Sequence, residues 1–456
     1  MNNPSNLLSG RRGFYGVKKE RLSEIMVLAL PIIGGMMSQT LLNIIDIKMV
    51  SHLGPTAIAA VGFCSFINFV AASVFIGLSV GVQAIVARRM GENQLKKAAR
   101  PLNAGIAINL AFAIPVSVAL IVLAPQLLNF MLDDEALIAE GLPYLQARFA
   151  GIAALGINFC FRGFFSAIRQ TRVYLRTIIT IHIINVAVSY LLVFGVGPFP
   201  EMGALGAGLG TSISLMCGSL IYMIYAYIKC RHFGFGWTMP KRHVVSQVLK
   251  ISIPASLQQL FFAGGFTVFF WIISQVGTDE VALSNIYVNL LMVAALPCIG
   301  FGLAASTLVS QALGRKEPED AHAWAWDVAK VASVAVCLIG VPLAIFPEFF
   351  LGFFFDDEEL IQNGAPILRL VGLMMPLDAM GIVFLNALQG AGATSQTMRV
   401  TVVAQWLVCL PLTFCVGPLL GLGLSAIWIV QVAYRSVQAM IFMGMWQKRR
   451  WQSIQL

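Results

Sequence analysis

The chain contains uncharged apolar stretches that are too long to be the core of a soluble domain. No Asp, Glu, Lys or Arg occurs in residues 49–87, 202–228, 251–278 or 281–314. Each stretch exceeds the roughly 20 residues that a helix needs to cross a bilayer. Apolar and polar residues do not alternate along them, so helices rather than a β-barrel must satisfy the backbone hydrogen bonds. The sequence therefore predicts an all-α polytopic membrane protein.

Composition supports this class, because 58% of the residues are hydrophobic and only 11% are charged, against about 25% charged in soluble proteins. We predict twelve transmembrane spans, at residues 22–50, 57–87, 101–123, 141–167, 173–196, 202–228, 248–276, 281–312, 322–346, 360–387, 398–416 and 421–446. The predicted organisation is a cytoplasmic segment (1–21), an N-lobe (22–228), an inter-lobe loop (229–245), a C-lobe (246–447) and a basic tail (448–456).

The basic residues are sorted to one side of these spans. Most of the 30 Lys and Arg residues lie at the termini or beside the even-numbered loops, the exceptions being Lys48, Arg148, Lys330, Arg369 and Arg435. The odd-numbered loops carry acidic residues instead. The positive-inside rule then places both termini in the cytoplasm, and we expect a bacterial inner (plasma) membrane. The net charge of +9 is thus a consequence of topology, and we expect no nucleic acid partner.

Motifs for catalysis or for a cofactor are missing from the sequence. The eight cysteines form no CxxC pair, so we predict neither a disulfide framework nor a metal site. There is no Walker motif and no GxSxG. We therefore expect no cofactor, no ATP-driven transport and no enzymatic activity.

The second half of the chain repeats the first. Leu30-Pro31-Ile32 recurs as Ile253-Pro254-Ala255, and Asp133-Asp134-Glu135 recurs as Asp356-Asp357-Glu358, both at an offset of 223 residues. Six spans separate the copies, so both copies have the same membrane orientation. Such parallel repeats, related by a pseudo-two-fold axis along the membrane normal, are one plan for transporters. We therefore predict two six-helix lobes with a substrate site between them.

The first span carries polar residues deep in an apolar run. Gln39, Asn43 and Asp46 are spaced i, i+4 and i+7, so they share one face of a helix. A charge in hydrocarbon costs at least ~2.5–3.5 kcal/mol, and such residues usually pair, line a cavity or handle ions. We predict that they line a cavity and that Asp46 exchanges a proton. The alternative is a buried hydrogen-bonded cluster that only fixes helix packing.

The fifth span has a similar polar face, formed by His182, Asn185 and Ser189 at i, i+3 and i+7. These side chains are candidates to meet Asp46 across the N-lobe and to pass a proton or bind a cation. A helix-packing network is the alternative for this face as well.

The repeat does not copy the acids that lie inside the spans. Asp46 corresponds to Phe269, whereas the second half has Asp378, whose first-half counterpart is Asn158. Asp378, with Asn386 on a similar face, is a candidate site for a cationic substrate, and pairing with a C-lobe amide is the alternative. Together with Asn158, these residues are predicted to line the substrate cavity.

We predict structural roles for several other charged residues. Arg148 and Arg369 occupy corresponding positions in the two halves, which favours a structural role for both. Asp327 and Lys330, three residues apart in the ninth span, are predicted to pair at the membrane interface.

Together these residues resemble the multidrug and toxic compound extrusion (MATE) family over most of the chain. The stretches that carry the resemblance are Asn43 to Gly54, Ala57 to Gly62, Ala84 to Gly91, Ser166 to Thr171 with its counterpart Asn386 to Thr394, and Gly206 to Ser212. The resemblance implies export of amphipathic, often cationic compounds, driven by inward flow of H+ or Na+. It also implies that Asp46 is the coupling acid.

The chain departs from the family pattern in two places. The fifth span of the family often carries an Asp four residues after an Asn, but here Ser189 follows Asn185. In one branch the seventh span carries an acid where this chain has Phe262. Gln258 and Gln259, one turn earlier, are candidates for the substrate cavity.

We therefore predict a secondary active exporter that works by alternating access, acts as a monomer and takes small amphipathic or cationic substrates. The alternatives are a lipid-linked precursor flippase of the same broad superfamily, which needs a strongly basic cavity, or a membrane-embedded enzyme, which needs a second catalytic group beside an acid.

Overall fold

The computed structural model describes residues 16–236 and 239–454, so most of the predicted N-terminal segment lies outside the described residues. The described chain is built from helices, as predicted. Their bounds are α1 Lys19–Val50, α2 Pro55–Gly91, α3 Arg100–Met131, α4 Glu135–Ala150, α5 Ile152–Ala167, α6 Thr171–Phe194, α7 Gly203–Lys229, α8 Arg242–Ser274, α9 Thr278–Gly314, α10 Pro318–Ile345, α11 Pro347–Leu351, α12 Glu358–Gly390, α13 Thr394–Val402, α14 Leu410–Phe414 and α15 Gly423–Gln447. Two π-helical segments, Val403–Cys409 and Cys415–Leu419, continue α13 and α14 as one long span.

Eleven helices in the described part of the chain are long and apolar enough to cross a membrane, and the bent pair α4–α5 makes a twelfth span. The prediction of twelve transmembrane helices is therefore confirmed. The 45° bend lies at Gly151. A Cβ atom at Gly151 would lie 2.5 Å from Oγ of Ser212 on α7, so glycine permits this close approach.

The fourth span begins earlier than predicted, at Glu135 instead of residue 141. The reason is a helix cap: Asp134 accepts hydrogen bonds from the backbone N–H groups of Ala136 (2.9 Å) and Leu137 (3.4 Å). Asp357, which corresponds to Asp134 in the repeat, caps α12 through the same pair of bonds. The repeated acidic triplet therefore contains a helix N-cap.

The chain divides into two compact units. We call residues 34–263 the N-unit, and residues up to Ile33 together with those from Gly264 onward the C-unit. Both divisions fall inside helices, within α1 and within α8. The predicted lobe boundaries, at residues 22–228 and 246–447, stay a prediction.

Small residues hold α2 against α8 inside the N-unit. A Cβ atom at Gly77 would lie 2.5 Å from the backbone of Ser252 and Ser256, and one at Gly81 would also meet Ser252. Ser256 donates a hydrogen bond to the carbonyl of Val74 on α2. A GxxxG pair facing an SxxxS pair is a common device for close helix packing in membranes.

Candidate functional site

Asp46 lies four residues before the end of α1 and is half-buried. Its Oδ1 atom is buried, and no described residue donates a hydrogen bond to it. Arg148 of α4 is the cation that acts electrostatically on this carboxylate. An acid at this depth without a hydrogen-bonded partner is suited to exchange a proton or a cation.

The polar face that includes Asp46 continues along α1 and reaches α6. Nε2 of Gln39 donates to Oδ1 of Asn43 at 3.1 Å, and Oε1 of Gln39 lies 3.1 Å from Nε2 of His182. On the other side of the ring, Nδ1 of His182 lies 3.0 Å from Oγ of Ser38. The structure therefore brings together three predicted residues and adds Ser38, which the sequence analysis did not single out.

The partners of His182 fit two protonation states. The amide oxygen of Gln39 only accepts, so Nε2 carries a hydrogen. The hydroxyl of Ser38 lies 2.8 Å from the carbonyl of Gly35. When that hydroxyl donates to Gly35, Nδ1 must donate to it, and the ring is an imidazolium. When the hydroxyl turns towards Nδ1, the ring is neutral. The two arrangements around Nδ1 therefore differ by the rotation of one hydroxyl.

The other two residues of the predicted α6 face belong to a different contact. Oγ of Ser189 donates to Oδ1 of Asn185 at 3.4 Å, and Nδ2 of Asn185 donates to Oγ of Ser214 on α7 at 3.5 Å. Gly210 of α7 approaches Ser189 so closely that a Cβ atom there would overlap it. Asn185 and Ser189 therefore pack α6 against α7.

The predicted cavity residues are distributed over both units. In the N-unit, Asn158 of α5 bonds to α7, while Gln258 is buried and Gln259 is half-buried on α8. In the C-unit, Nδ2 of Asn386 donates to the carbonyl of Ile382, one turn earlier on α12.

Asp378 of α12 is paired with a cation. Nη2 of Arg435, on α15, donates to Oδ2 of Asp378 at 2.6 Å. Arg435 is a charge inside a predicted span, and the sequence pattern predicted no role for it. The signal that predicts the pair is that each charge stands in an uncharged stretch of the same half, because isolated charges are costly there.

The two corresponding arginines differ in their surroundings. Arg369 in the C-unit binds Oε1 of Glu348 at 3.3 Å and the carbonyl of Ala344 at 3.2 Å. Arg148 in the N-unit lies 5.9 Å from the ring centroid of Tyr144 and acts on Asp46. In residues 16–236 and 239–454, no group of three or more His, Cys, Asp and Glu could hold a metal ion.

The fold and the intramembrane polar groups define a class, the polytopic helical membrane transporters that consist of a duplicated six-helix unit. A family model described as MatE matches the chain twice, at residues 31–191 and 254–415. The two matches begin 223 residues apart, which confirms the internal repeat. Because they cover more than half of the sequence, the chain belongs to the MatE family, whose members are transporters and not enzymes.

Individual relatives agree with this assignment. A "Probable multidrug resistance protein NorM" of Thermotoga maritima is 26% identical over 437 residues, which is 93% of either chain. The solved structure titled "Outward-facing conformation of a multidrug resistance MATE family transporter of the MOP superfamily" is 19% identical, with a TM-score of 0.87 over 95% of this chain and 97% of that one. The eukaryotic transporter AtDTX14 gives a TM-score of 0.82 at 18% identity, over 94% and 97%. These structures show the shared fold.

Proposed function

We propose that this chain is a secondary active multidrug exporter that moves amphipathic, often cationic compounds outward in exchange for protons. The observation that carries the proposal is the state of Asp46. Its buried Oδ1 atom accepts no hydrogen bond from a described residue. A carboxylate in this environment is neutralised most simply by taking up an ion from water, and a proton is the smallest such ion.

The neighbours of Asp46 favour H+ over Na+ as the coupling ion. A sodium site needs several oxygen ligands directed at one point. Here one of the two lone pairs of Asn43 Oδ1 accepts from Gln39, and Ser189 stands where the resemblance to the family implies a second acid. His182, at the other end of the network, can hold a proton but cannot coordinate Na+ while both its ring nitrogens are bonded. We therefore assign coupling to Asp46, with Asn43, Gln39 and His182 in support.

Alternating access between the two halves would couple the ion to the substrate. The duplicated six-helix unit is the architecture in which this mechanism operates, and the relatives named multidrug resistance proteins support the substrate class. We propose that Asn158, Gln258, Gln259 and Asn386 contribute to the substrate cavity. We further propose a monomer in a bacterial inner membrane with both termini cytoplasmic, as the distribution of basic residues indicates.

The test is uptake of ethidium by proteoliposomes that contain the purified full-length protein. One set of vesicles is acidic inside and a second set is loaded with NaCl, so that each tests one outward ion gradient. We expect ethidium to accumulate in the acidic vesicles and not in the sodium-loaded ones. Accumulation with Na+ alone would reverse the choice of ion. Absence of ethidium uptake under either gradient would contradict the proposal.

A further inference from the structure

The ion pair between Asp378 and Arg435 ties two helices of the C-unit together. The 2.6 Å bond joins α12 to α15, and the side chains are only 14% and 20% exposed. Short bonds between an arginine and a carboxylate are among the strongest in proteins. Most of the Asp378 side chain is therefore shielded from water, and its negative charge is balanced by Arg435.

The first half of the repeat joins the equivalent helices without charge. Asn158 of α5 corresponds to Asp378. It donates from Nδ2 to the carbonyl of Leu215 at 3.2 Å and accepts from Oγ of Ser219 at 2.9 Å. Both partners lie on α7, the last helix of the first half, as α15 is of the second. Helix α7 contains no charged residue before Lys229.

At these corresponding positions, the acid and the arginine therefore occur together in the second half, and neither is present in the first. Other titratable groups that act on the pair are the thiols of Cys298 and Cys409 and the phenol of Tyr434. No second carboxylate is found among the groups that act on Arg435 in the described chain. The cluster as a whole thus carries no net charge.

We propose that Arg435 is a built-in cation that occupies the acidic site of the second half, so that this half accepts no exchanging cation. The guanidinium is covalently attached and always in place, and an ion from water would have to displace it from a short hydrogen bond. If Asp46 is the coupling acid, as proposed above, ion exchange is then confined to the N-unit.

A consequence distinguishes this role from simple helix packing. Removing Arg435 alone leaves a carboxylate at membrane depth without its partner, and this carboxylate must then recruit a cation. Removing both charges restores a neutral contact like that of Asn158 and recruits nothing.

The binding test uses purified full-length protein that carries Asp46→Asn, so that only the second half can respond and the result does not depend on the proposed function. Thermal unfolding is followed at about pH 8.5 and about pH 5.5 and, at each pH, from 1 to 150 mM NaCl, with choline chloride keeping the ionic strength constant. The unpaired carboxylate of the Arg435→Gln variant can take up H+ or Na+, so we expect acidification or Na+ to raise its melting temperature by about 3 °C or more relative to the Asp46→Asn parent. The Asp46→Asn parent, which serves as the reference, should not respond to Na+, and the further Asp378→Asn/Arg435→Gln variant should match it at both pH values. A parent that responds as strongly, through Asp378, would overturn the proposal.

The transport test keeps Asp46 and compares wild type with the Asp378→Asn/Arg435→Gln variant. We expect ethidium uptake by the double variant to depend on the pH gradient as it does in wild type, whatever its absolute rate, because the neutral pair leaves the N-unit unchanged. A folded double variant that still exchanges ethidium but no longer responds to the pH gradient would overturn the proposal. If Arg435→Gln alone does not fold, the charge swap Asp378→Arg/Arg435→Asp is tested in its place. Because the swap keeps the ion pair, its melting temperature should not respond to Na+, and it should still transport ethidium.

Discussion

Nε2 of His182 lies 3.1 Å from Oε1 of Gln39, and this contact joins α6 to the segment of α1 that carries Asp46. Gln39 then bonds to Asn43, one turn before Asp46. A movement of α1 relative to α6 would either break this contact or require both side chains to move with it. If Asp46 is the coupling acid, as proposed above, this network would connect its segment of α1 to the packing of α1 against α6.

His182 should matter for proton-driven transport beyond its role in packing. We expect His182→Ala to lower proton-driven ethidium uptake about tenfold, since interhelical hydrogen bonds in membranes contribute ~0.6 kcal/mol each on average, up to ~1.7, and the side chain proposed to support proton coupling is also lost. His182→Gln keeps a polar side chain and should retain more stability while flattening the pH dependence of uptake. Ile183→Ala is the control, because the Ile183 side chain is 64% exposed. Wild-type uptake by His182→Ala at every pH would refute the role.

Gly35 should be needed where α1 meets α6. A Cβ atom at Gly35 would lie 2.7 Å from Cε1 of Tyr174 and 3.1 Å from Cγ2 of Ile178. Overpacking of this kind typically costs about 1–3 kcal/mol, so Gly35→Ala should lower both the melting temperature and transport. Gly34→Ala adds the same methyl group but lies 3.5 Å from Leu175, an ordinary contact. Equal melting temperatures for the two variants would contradict this account.

A second matched pair of variants tests the small-residue contact between α2 and α8. A Cβ atom at Gly77 meets backbone atoms of Ser252 and Ser256, which cannot rotate away. We expect Gly77→Ala to reduce the yield of folded protein and to lower its melting temperature. Gly62→Ala, on the same helix with no atom within 4 Å of the new methyl group, should behave like wild type. Size-exclusion profiles and thermal unfolding in detergent measure both.

The number of helices and the repeat could be predicted because uncharged apolar length and a constant offset are properties of the sequence itself. Helix ends were less accurate, since the cap formed by Asp134 depends on local backbone geometry. The GxxxG spacing of Gly77 and Gly81 is visible in the sequence. Its partner helix is not, because a pairing between distant segments leaves no local signal.

The contacts of the polar residues were likewise predictable only in part. The shared face of Gln39 and Asn43 follows from helical periodicity, and the bond between these residues has that spacing. The prediction that Asp327 pairs with Lys330 was wrong: Asp327 accepts from Nη1 of Arg21 at 2.8 Å, although Arg21 is 306 residues away in the chain. Spacing within one helix cannot reveal a stronger partner on another helix.

The contact of Arg21 should stabilise the C-unit. Its guanidinium binds Asp320 and Asp327 and lies 4.4 Å from the ring centroid of Trp324. Hydrogen bonds between charged groups contribute about 1.5–3 kcal/mol when buried, and these groups are partly exposed. We expect Arg21→Gln to cost ~1–2 kcal/mol of stability, whereas the exposed Lys19→Gln should cost less than ~0.5 kcal/mol. Similar unfolding of both variants would show that the contact contributes little.

The most direct test of proton coupling through Asp46 compares driven uptake with exchange in the Asp46→Asn variant. Proteoliposomes that are acidic inside measure uptake driven by protons, and vesicles preloaded with unlabelled substrate measure exchange without any ion gradient. The account predicts that Asp46→Asn loses proton-driven accumulation but still exchanges substrate, because asparagine mimics the protonated acid and cannot release its proton. Proton-driven accumulation at the wild-type rate in Asp46→Asn would contradict the account.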